Sequence, residues 1–384
     1  MAEEFIESRI ARYLGSRARK GRIPLDGTFE LTPCCNMDCK MCYIRLSKED
    51  AEKQGRVRTV KEWLDLADEL LEQGTLYLLI TGGEPFLIPD LKELIEGLQK
   101  KGFIVSINSN GTLIDEKTVE WLKKYPPARI NITLYGACDE TYNRLCRNPN
   151  GFTQTAKAIK LLKQAGINVK LNCSLTPYNK EDLPAILKFA NEHSIPIQVS
   201  PYMFPPVRKG IEQAGKNERF TPEETAFEMA RLTLLEKGKN AYLNIMEDID
   251  AYFPDTGSEC NVEQSEPERA RGDVIRCGAG RSTFWIDWKG DLHICGMIPA
   301  EKNNVFEIGF GEAWQNAAHF ADGIRLPVEC SDCPDKDKCK TCAAMVFAET
   351  ATFDQKPQFR CELMKARKKA FLSVKDQTDK LLNE

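Results

Sequence analysis

The stretch "CNMDCKMC" (residues 35–42) places Cys35, Cys39 and Cys42 in one short loop, with a fourth cysteine, Cys34, immediately before it. The loop directly follows the first apolar run of strand length, which is where a catalytic loop of an α/β protein belongs. Tetrahedral metal sites take four ligands. Three possibilities follow: Cys34 completes the set, a distant cysteine completes it, or one position is left open.

Composition limits the class of protein. The chain has 384 residues, 42% of them hydrophobic, enough for one large domain with a smaller one or for two ordinary domains. Its net charge of −4 argues against the basic face of a nucleic-acid-binding protein. The N-terminal residues lack a signal-peptide pattern, and no run approaches the roughly 18 apolar residues of a membrane span. We therefore expect a cytoplasmic protein with no nucleic-acid or membrane partner.

Fifteen cysteines are unusual for a cytoplasmic chain. Disulfides are rare in that compartment, and these cysteines occur in short clusters. The pattern indicates ligation of a metal or a metal–sulfur cluster.

Six repeats of a strand pattern followed by a helix pattern occupy the region from about residue 27 to 201. Near-continuous apolar strands indicate a parallel sheet covered by helices. Right-handed crossovers can close such a sheet into a full or partial barrel. The fold prediction is α/β: a partial (β/α)6 TIM-like barrel with a C-terminal cysteine-rich domain. The predicted strands are residues 28–32, 75–81, 103–110, 128–136, 168–176 and 196–202.

The pattern changes after residue 205. A helix is predicted over 221–243, with Thr221 as its N-cap and Pro222 in its first turn. Secondary-structure signals are weak over 277–361, which predicts a small module held by metal. The predicted organisation is an N-terminal helical segment, a barrel, a helical bridge, a cysteine-rich domain and a C-terminal helix, at residues 1–24, 25–205, 206–259, 260–365 and 366–384.

Three closely spaced cysteines suit three irons of a [4Fe–4S] cluster and leave the fourth iron free. The spacing C-x3-C-x2-C resembles the motif of the radical S-adenosylmethionine (SAM) superfamily, with Met41 at a position that is usually aromatic. The resemblance implies that SAM binds the open iron through its amino and carboxylate groups. Reductive cleavage then yields a 5′-deoxyadenosyl radical that abstracts a substrate hydrogen. Cys34 would be a bystander.

Further stretches resemble the same family in the same order. "TGGEP" (81–85) resembles the motif that receives the SAM ammonium group, "NSNGT" (108–112) resembles a loop near SAM, and the fourth strand contributes a hydroxyl near the ribose. An arginine, Arg144 or Arg147, would meet the SAM carboxylate. The predicted SAM-binding residues are Gly82, Gly83, Glu84, Pro85, Asn108, Ser109, Asn110, Thr133 and Arg144.

The C-terminal cysteines resemble the SPASM extension of some radical SAM enzymes, with one residue fewer between Cys339 and Cys342. The resemblance implies two auxiliary [4Fe–4S] clusters, making three in all. The fourth inner ligand is Cys260, or the inner cluster is open and binds substrate. A zinc ribbon is the alternative for this region. The implied outer ligands are Cys330, Cys333, Cys339 and Cys361, and the implied inner ligands are Cys277, Cys295, Cys342 and Cys260.

Other residues with chemical potential have no assigned role. Buried free cysteines usually pack as small hydrophobic groups, although one could donate a hydrogen atom to a substrate radical. The three histidines are expected to be mainly structural. The remaining candidates are the cysteines Cys138, Cys146 and Cys173, the acids Asp139, Glu140 and Asp287, and the histidines His193, His293 and His319.

The resemblance implies modification of a ribosomally made peptide or protein, with electrons from a flavodoxin or ferredoxin. Only about 25 residues precede the first strand, too few for a winged-helix domain that binds a peptide leader. One alternative is an oxidoreductase acting on a small molecule such as a sugar or cofactor precursor. The other is a non-catalytic, zinc-held binding protein.

Overall fold

The structure is a computed structural model that describes residues 9–216, 218–253, 274–275, 277–299 and 303–383. The predicted inner ligand Cys260 lies outside these residues. None of the described helices combines the length and the apolar character needed to cross a membrane.

The described strands form one sheet in the order β6-β5-β4-β3-β2-β1-β7-β8. Neighbouring strands from β1 to β5 run parallel, β7 also runs parallel to β1, and β8 is antiparallel to β7. The strands are β1 (Asp26–Glu30), β2 (Tyr77–Thr81), β3 (Ile104–Ser109), β4 (Arg129–Thr133), β5 (Val169–Ser174), β6 (Ile197–Ser200), β7 (Thr283–Ile286) and β8 (Leu292–His293).

Helices connect the parallel strands and continue through the C-terminal part of the chain. They are α1 (Arg9–Gly21), α2 (Lys48–Gln54), α3 (Val60–Glu72), α4 (Leu91–Lys100), α5 (Glu116–Lys124), α6 (Asp139–Cys146), α7 (Gly151–Gln164), α8 (Leu183–Glu192), α9 (Pro222–Lys237), α10 (Lys239–Glu247), α11 (Ile249–Tyr252), α12 (Val305–Ile308), α13 (Phe310–Gly323), α14 (Val328–Ser331), α15 (Lys336–Cys339), α16 (Ala343–Thr350), α17 (Gln358–Asp376) and α18 (Thr378–Asn383).

The six predicted βα repeats are confirmed, and so is the α/β fold class. Apolar residues on the strands are fully buried, as Phe29 and Ile80 illustrate, so the apolar runs correctly indicate a sheet covered by helices. The Phe29 ring packs 4.5 Å from the ring of Trp63 on α3. This packing holds the first strand, and the cysteine loop after it, against the helical layer.

Residues 277–361 contain more regular secondary structure than their weak sequence signals indicate. Residues 283–286 form β7, which pairs with β1 from Asp26 to Phe29 and extends the sheet. The run "TFWI" is too short to signal a strand by itself, and its pairing partner lies far away in the sequence. Strand β1 is therefore an interior strand of the sheet, paired on both sides.

The single helix predicted over 221–243 is wrong. Its start is confirmed, because Thr221 caps α9 and Pro222 opens it. Gly238 then adopts a φ of +79°, in the left-handed region that glycine tolerates, and separates α9 from α10. The C-terminal helix likewise divides into α17 and α18.

The chain divides into two compact units that interleave along the sequence. The first contains Met1–Cys173, Phe189–Gln198 and Arg276–Gly323, and the second contains Ser174–Lys188, Val199–Ile275 and Ile324–Glu384. The second unit has its own helical core, in which Tyr242, Phe371 and Val374 are buried. The five-part organisation predicted from the sequence remains a proposal about functional modules.

Candidate active site

The cysteine loop after β1 directs backbone and amide N–H groups at its sulfurs. The N–H of Met37 donates to Cys35 Sγ at 3.4 Å, and the N–H of Arg45 donates to Cys42 Sγ at 3.2 Å. The side-chain amide of Asn110 lies 3.7 Å from Cys35 Sγ. Burial raises the pKa of Cys35 to about 12, and the N–H of Met37 opposes that rise. Such donors stabilise thiolates that bind iron.

The loop is anchored on the C-terminal end of α6. The N–H groups of Asp38 and Lys40 each donate at 3.0 Å to carbonyls of Cys146 and Leu145. These are carbonyls that a helix leaves without partners inside the helix. Helix α6, which the sequence did not indicate, therefore positions the middle of the cysteine loop.

Charged groups surround the same loop. Asp38 accepts from Arg147 at 2.7 Å and forms an ion pair with Arg45 at 3.0 Å. Arg147 follows α6 with a positive φ of 54°. Which of Arg144 and Arg147 meets the SAM carboxylate stays a prediction.

Gly82 and Gly83 let the loop after β2 run against the cysteine loop. The N–H of Gly83 donates to the carbonyl of Thr32 at 2.7 Å, and the N–H of Glu84 donates to the carbonyl of Cys34 at 3.0 Å. A Cβ on Gly83 would lie 2.2 Å from the Cys34 oxygen, and one on Gly82 would lie 2.7 Å from the Thr32 oxygen. Both glycines are therefore required by the fold itself. Cys34 contributes backbone contacts to this junction.

The Glu84 carboxylate is fully buried and holds two loops together. Its Oε1 accepts from the Ser109 hydroxyl at 2.8 Å and from the Phe86 N–H at 3.1 Å, and its Oε2 accepts from the Asn110 N–H at 2.8 Å. Burial raises the pKa of Glu84 to about 7, although these hydrogen bonds favour the charged form. Contact of this carboxylate with SAM remains a prediction.

Asn110 connects the loop after β3 to the cysteine loop. Its amide nitrogen donates to Asn36 Oδ1 at 2.9 Å, and its Oδ1 accepts from the Thr112 N–H at 2.9 Å. Asn36 in turn donates to the Thr112 hydroxyl at 2.8 Å. The predicted residues Ser109 and Asn110 therefore lie beside Cys35 and Glu84, where they order the loops.

The other predicted SAM-binding residues lie at the same ends of their strands. Pro85 opens the turn that Glu84 caps, and Thr133 is the last residue of β4. Asn108 Oδ1 accepts from the Asn131 amide at 2.7 Å. Their contacts with SAM, like that of Arg144, stay predictions.

Two residues of this region were missed by sequence reasoning. The Cys39 thiol is hydrogen-bonded with the buried Cys146 thiol, and this bond and burial raise the pKa of Cys39 well above its ordinary value. Glu30 ends β1, is fully buried and accepts from the Trp285 indole at 2.8 Å. An acidic residue at the end of an apolar strand was the available signal for Glu30. Cys146 was a candidate for packing or for hydrogen-atom donation, and no local pattern indicated its contact with Cys39.

The predicted outer cysteines are neighbours within the second unit. Burial raises the pKa of Cys330 to about 12, and the nearby sulfurs of Cys361, Cys339 and Cys333 add to the rise. The four residues come from α14, the segment after it, the end of α15 and the first turns of α17. Bound cations would reverse this mutual repulsion, because they favour thiolates.

The predicted inner cysteines are divided between the two units. Cys277 is exposed and Cys295 is partly buried in the first unit, whereas Cys342 precedes α16 in the second. The assignment of Cys277, Cys295 and Cys342 to one cluster, with or without Cys260, stays a prediction.

Asp287, His293 and Asp139 make hydrogen bonds within the fold. Asp287 Oδ1 accepts N–H groups of the turn from Lys289 to Asp291, and its Oδ2 lies 3.2 Å from His293 Nε2. Asp139 accepts from the Thr153 hydroxyl and N–H, joining α6 to α7. Cys173 is buried in the core, whereas Cys138, Glu140 and His319 are exposed.

The two groups of cysteine thiols suit iron–sulfur clusters. In the described part of the chain, no three His, Cys, Asp or Glu side chains converge on the position of a single metal ion. Three thiols with N–H donors after β1, and four neighbouring thiols in the second unit, are the ligand types that [4Fe–4S] clusters use. Residues Cys35, Cys39 and Cys42 would hold the first cluster.

The parallel α/β sheet places three thiols in its first loop, beside buried polar loops at the next two strand ends, and three such thiols suit an iron–sulfur cluster. Residues 29–190 match the family model described as the radical SAM superfamily. This part of the chain is similar to the radical SAM superfamily, a family that uses a [4Fe–4S] cluster and SAM.

Relatives match most of the chain. It is 24% identical to an AdoMet-dependent heme synthase of Methanosarcina barkeri, over 85% of this chain and 93% of that protein. It is 27% identical to the mycofactocin maturase MftC of Mycobacterium ulcerans, over 84% of each. The fold matches SuiB of Streptococcus suis bound to its precursor peptide SuiA, with a TM-score of 0.63 and 18% identity over 93% of this chain and 82% of SuiB.

Proposed function

We propose that this enzyme modifies a ribosomally made peptide by abstracting a hydrogen atom from it, using three [4Fe–4S] clusters. The observation that carries the proposal is the pair of cysteine groups: three thiols in the loop after β1 and four neighbouring thiols in the second unit. The second site gives the enzyme a place for an electron removed from substrate. The chain is similar to MftC, which is named as a maturase, and to SuiB, which was solved with a precursor peptide. Both similarities support a peptide substrate.

The cluster and SAM, once bound, supply the 5′-deoxyadenosyl radical. The chain itself supplies position and shape. Gly83 lets two loops approach, Glu84 fixes the backbone of Asn110 beside Cys35, and α6 anchors the cysteine loop. This preorganisation keeps the reacting groups in register, which is the main contribution that a protein makes to such chemistry.

The proposal also includes the electron donor, the cellular compartment and the arginine that binds the SAM carboxylate. A flavodoxin or ferredoxin supplies low-potential electrons. The cytoplasm keeps the many free thiols reduced. The predicted arginine for the SAM carboxylate is Arg144.

The second candidate substrate is a tetrapyrrole cofactor precursor. The specific observation in its favour is the match to the AdoMet-dependent heme synthase, which spans 93% of that protein. The same two cysteine sites would serve this reaction, so the site alone does not separate the two substrates.

The first experiment is a count of iron, sulfide and zinc in protein purified and reconstituted without oxygen. Three [4Fe–4S] clusters predict about 12 irons and 12 sulfides per chain, and changing Cys35, Cys39 and Cys42 to alanine should leave about 8. About 4 irons together with zinc would replace the outer cluster by a zinc ribbon and remove the electron-accepting role. Zinc alone would overturn the enzymatic proposal.

The second experiment separates the substrates. Reconstituted enzyme is given SAM, a reductant and either the short peptides encoded beside its gene or iron coproporphyrin, and 5′-deoxyadenosine is measured. Substrate-dependent release together with a mass change of a peptide supports peptide maturation. A mass change of the porphyrin alone transfers the proposal to the tetrapyrrole.

A further inference from the structure

Two arginines on one face of α17, the buried Arg360 and the partly buried Arg367, belong to the helix that also carries the outer cysteine Cys361. Arg360 directly precedes Cys361. Arg367 lies seven residues, about two helical turns, after Arg360. Positions seven apart face the same side of a helix. Both arginines therefore share the side of α17 that is next to the outer cysteine site.

Arg360 contacts this site directly. Its guanidinium donates to the carbonyl of Cys339 at 2.7 Å, and it lies 5.1 Å from the ring of Tyr202. The side chain is only 8% exposed, and its Nε–H has no hydrogen-bond partner among the described residues. The nearby carboxylate of Glu349 is held bidentately by Arg219.

Arg367 is in a similar position. Its guanidinium lies 4.9 Å from the ring of Phe253 and donates to Met364 Sδ at 3.6 Å. Its Nε–H also has no partner within the described part of the chain. Burial lowers the pKa of Arg367, and Tyr252 and Cys339 are among the groups that favour its charged form.

Buried cations without carboxylate partners are costly unless an anionic group lies nearby. A [4Fe–4S] cluster held by four thiolates carries a net negative charge, which increases by one on reduction. A fixed positive charge in a low-dielectric site stabilises the reduced state more than the oxidised state. The arginines would therefore make the cluster a better electron acceptor.

We propose that Arg360 and Arg367 are positioning residues that raise the reduction potential of the outer auxiliary cluster, so that it accepts the electron removed from substrate. This inference rests on the proposed presence of that cluster. The arginines act through charge, and Arg360 also orders the backbone of the ligand Cys339.

The test measures potentials rather than turnover. Redox titrations followed by electron paramagnetic resonance are run on the full-length reconstituted chain with Cys35, Cys39 and Cys42 changed to alanine. The signal lost on a further Cys333→Ala change identifies the outer cluster. Arg360→Gln and Arg367→Gln should each shift its reduction equilibrium at least tenfold toward the oxidised form, which is about 59 mV for one electron.

Two variants distinguish charge from architecture. Arg360→Lys should retain the original potential because it retains the charge. Arg231→Gln is the matched control, since Arg231 is also buried and donates to a backbone carbonyl, that of Lys180 at 2.9 Å, but pairs with Glu228. It should leave the outer potential unchanged.

An unchanged outer potential in iron-replete Arg360→Gln and Arg367→Gln overturns the proposal. So does an Arg360→Lys shift as large as that of Arg360→Gln. If Arg360→Gln loses iron, the potential of Arg367→Gln decides the proposal. Within the described residues, Arg367 donates to Met364 Sδ and to no cysteine backbone. If the parent protein, in which Cys35, Cys39 and Cys42 are alanine, holds no iron, the proposed function fails before any arginine is changed.

Discussion

Gly83 shows how a single missing side chain sets the active-site geometry. The loops after β1 and β2 approach so closely at this residue that its N–H reaches the carbonyl of Thr32 and its Cα faces the carbonyl of Cys34. The contact is made by backbone atoms, which cannot rotate away. The cysteine loop can therefore take its position only if residue 83 is glycine.

We expect Gly83→Ala to displace the cysteine loop and remove about four irons per chain, because the added Cβ would lie 2.2 Å from the Cys34 oxygen. Overpacking of this kind costs about 1–3 kcal/mol of stability. Iron analysis and urea unfolding followed by tryptophan fluorescence measure the two effects. Gly15→Ala is the control, since a Cβ there meets no atom within 4 Å, and it should keep its iron. Full iron content in Gly83→Ala would contradict the prediction.

Glu84 should make the stability of the iron-free protein depend on pH. Burial raises its pKa from 4.5 to about 7 in the folded state, so the folded protein binds more protons than the unfolded chain between these values. Stability therefore falls as pH rises from about 4.5 to 7 and is level above that. The shift corresponds to about 3 kcal/mol, at about 1.36 kcal/mol per pKa unit.

Urea unfolding of wild type and Glu84→Gln at pH 5 and pH 7.5 checks this. The wild type should lose more stability than the variant over the interval, and the difference isolates Glu84 from other groups such as Asp26, whose pKa burial raises to about 6. Glu93→Gln, an exposed change on α4, should behave as wild type. Equal pH dependence in Glu84→Gln and wild type would refute a raised pKa.

Among the elements, α16 depends on a buried ion pair. Arg219 and Glu349 are 6% and 4% exposed in their side chains and form a bidentate pair, with the Tyr202 hydroxyl donating to the same carboxylate at 2.9 Å. The Arg219 guanidinium also lies 3.7 Å from the Phe359 ring. These contacts join the segment after β6 to α16 and to the start of α17.

Arg219→Met should weaken α16 by about 3–5 kcal/mol, because it leaves the Glu349 charge buried without its partner. Amide hydrogen exchange of residues 343–350 is the measurement, since all five tryptophans lie in the other compact unit. Lys61→Met removes a lysine from an exposed pair with Asp65 and should change the exchange of α3 by less than about 0.5 kcal/mol. Protection of α16 equal to that of wild type would show that the pair contributes nothing.

The elements that the sequence revealed were those whose pattern is local. The six βα repeats were predictable because buried parallel strands are apolar throughout and their helices carry apolar stripes and caps, as Thr59 does for α3. Strand β7 was not, because four residues become a strand only by pairing with β1. Helix α6 is eight residues long, too short for a clear periodic signal.

The residues of the candidate site also divide into those with a local sequence pattern and those that only distant contacts bring together. Spacing and resemblance identified Cys35, Glu84 and Asn110, but only the fold places the Glu84 carboxylate against two loops and the Cys146 thiol against Cys39. The position of Arg367 near the outer cysteine Cys339 was not predictable either, because a run of basic residues on a helix is typical of an exposed face. Contacts between residues far apart in the sequence leave no local pattern.

At the scale of the molecule, the chain combines two means of stabilisation. The sheet and the helical core of the second unit bury large apolar side chains such as Trp63 and Phe371. In contrast, the described residues from 328 to 340 are partly buried or exposed and none is fully buried, although this segment carries three of the four outer cysteines. On the proposed function, bound iron would supply the order that a segment without an apolar core lacks.

Removal of iron should therefore loosen this segment selectively. We expect trypsin to cut the chelator-treated enzyme at Lys336, Lys338 or Lys340 at least tenfold faster than the iron-replete enzyme, because local opening no longer breaks cluster bonds. Lys61 lies exposed on a helix packed against the sheet and should be cut equally slowly in both forms. Mass spectrometry of early fragments identifies the bonds. Equal cleavage at residues 336–340 with and without iron would mean that the segment is ordered by the protein alone, and the outer cysteines would lose their structural role.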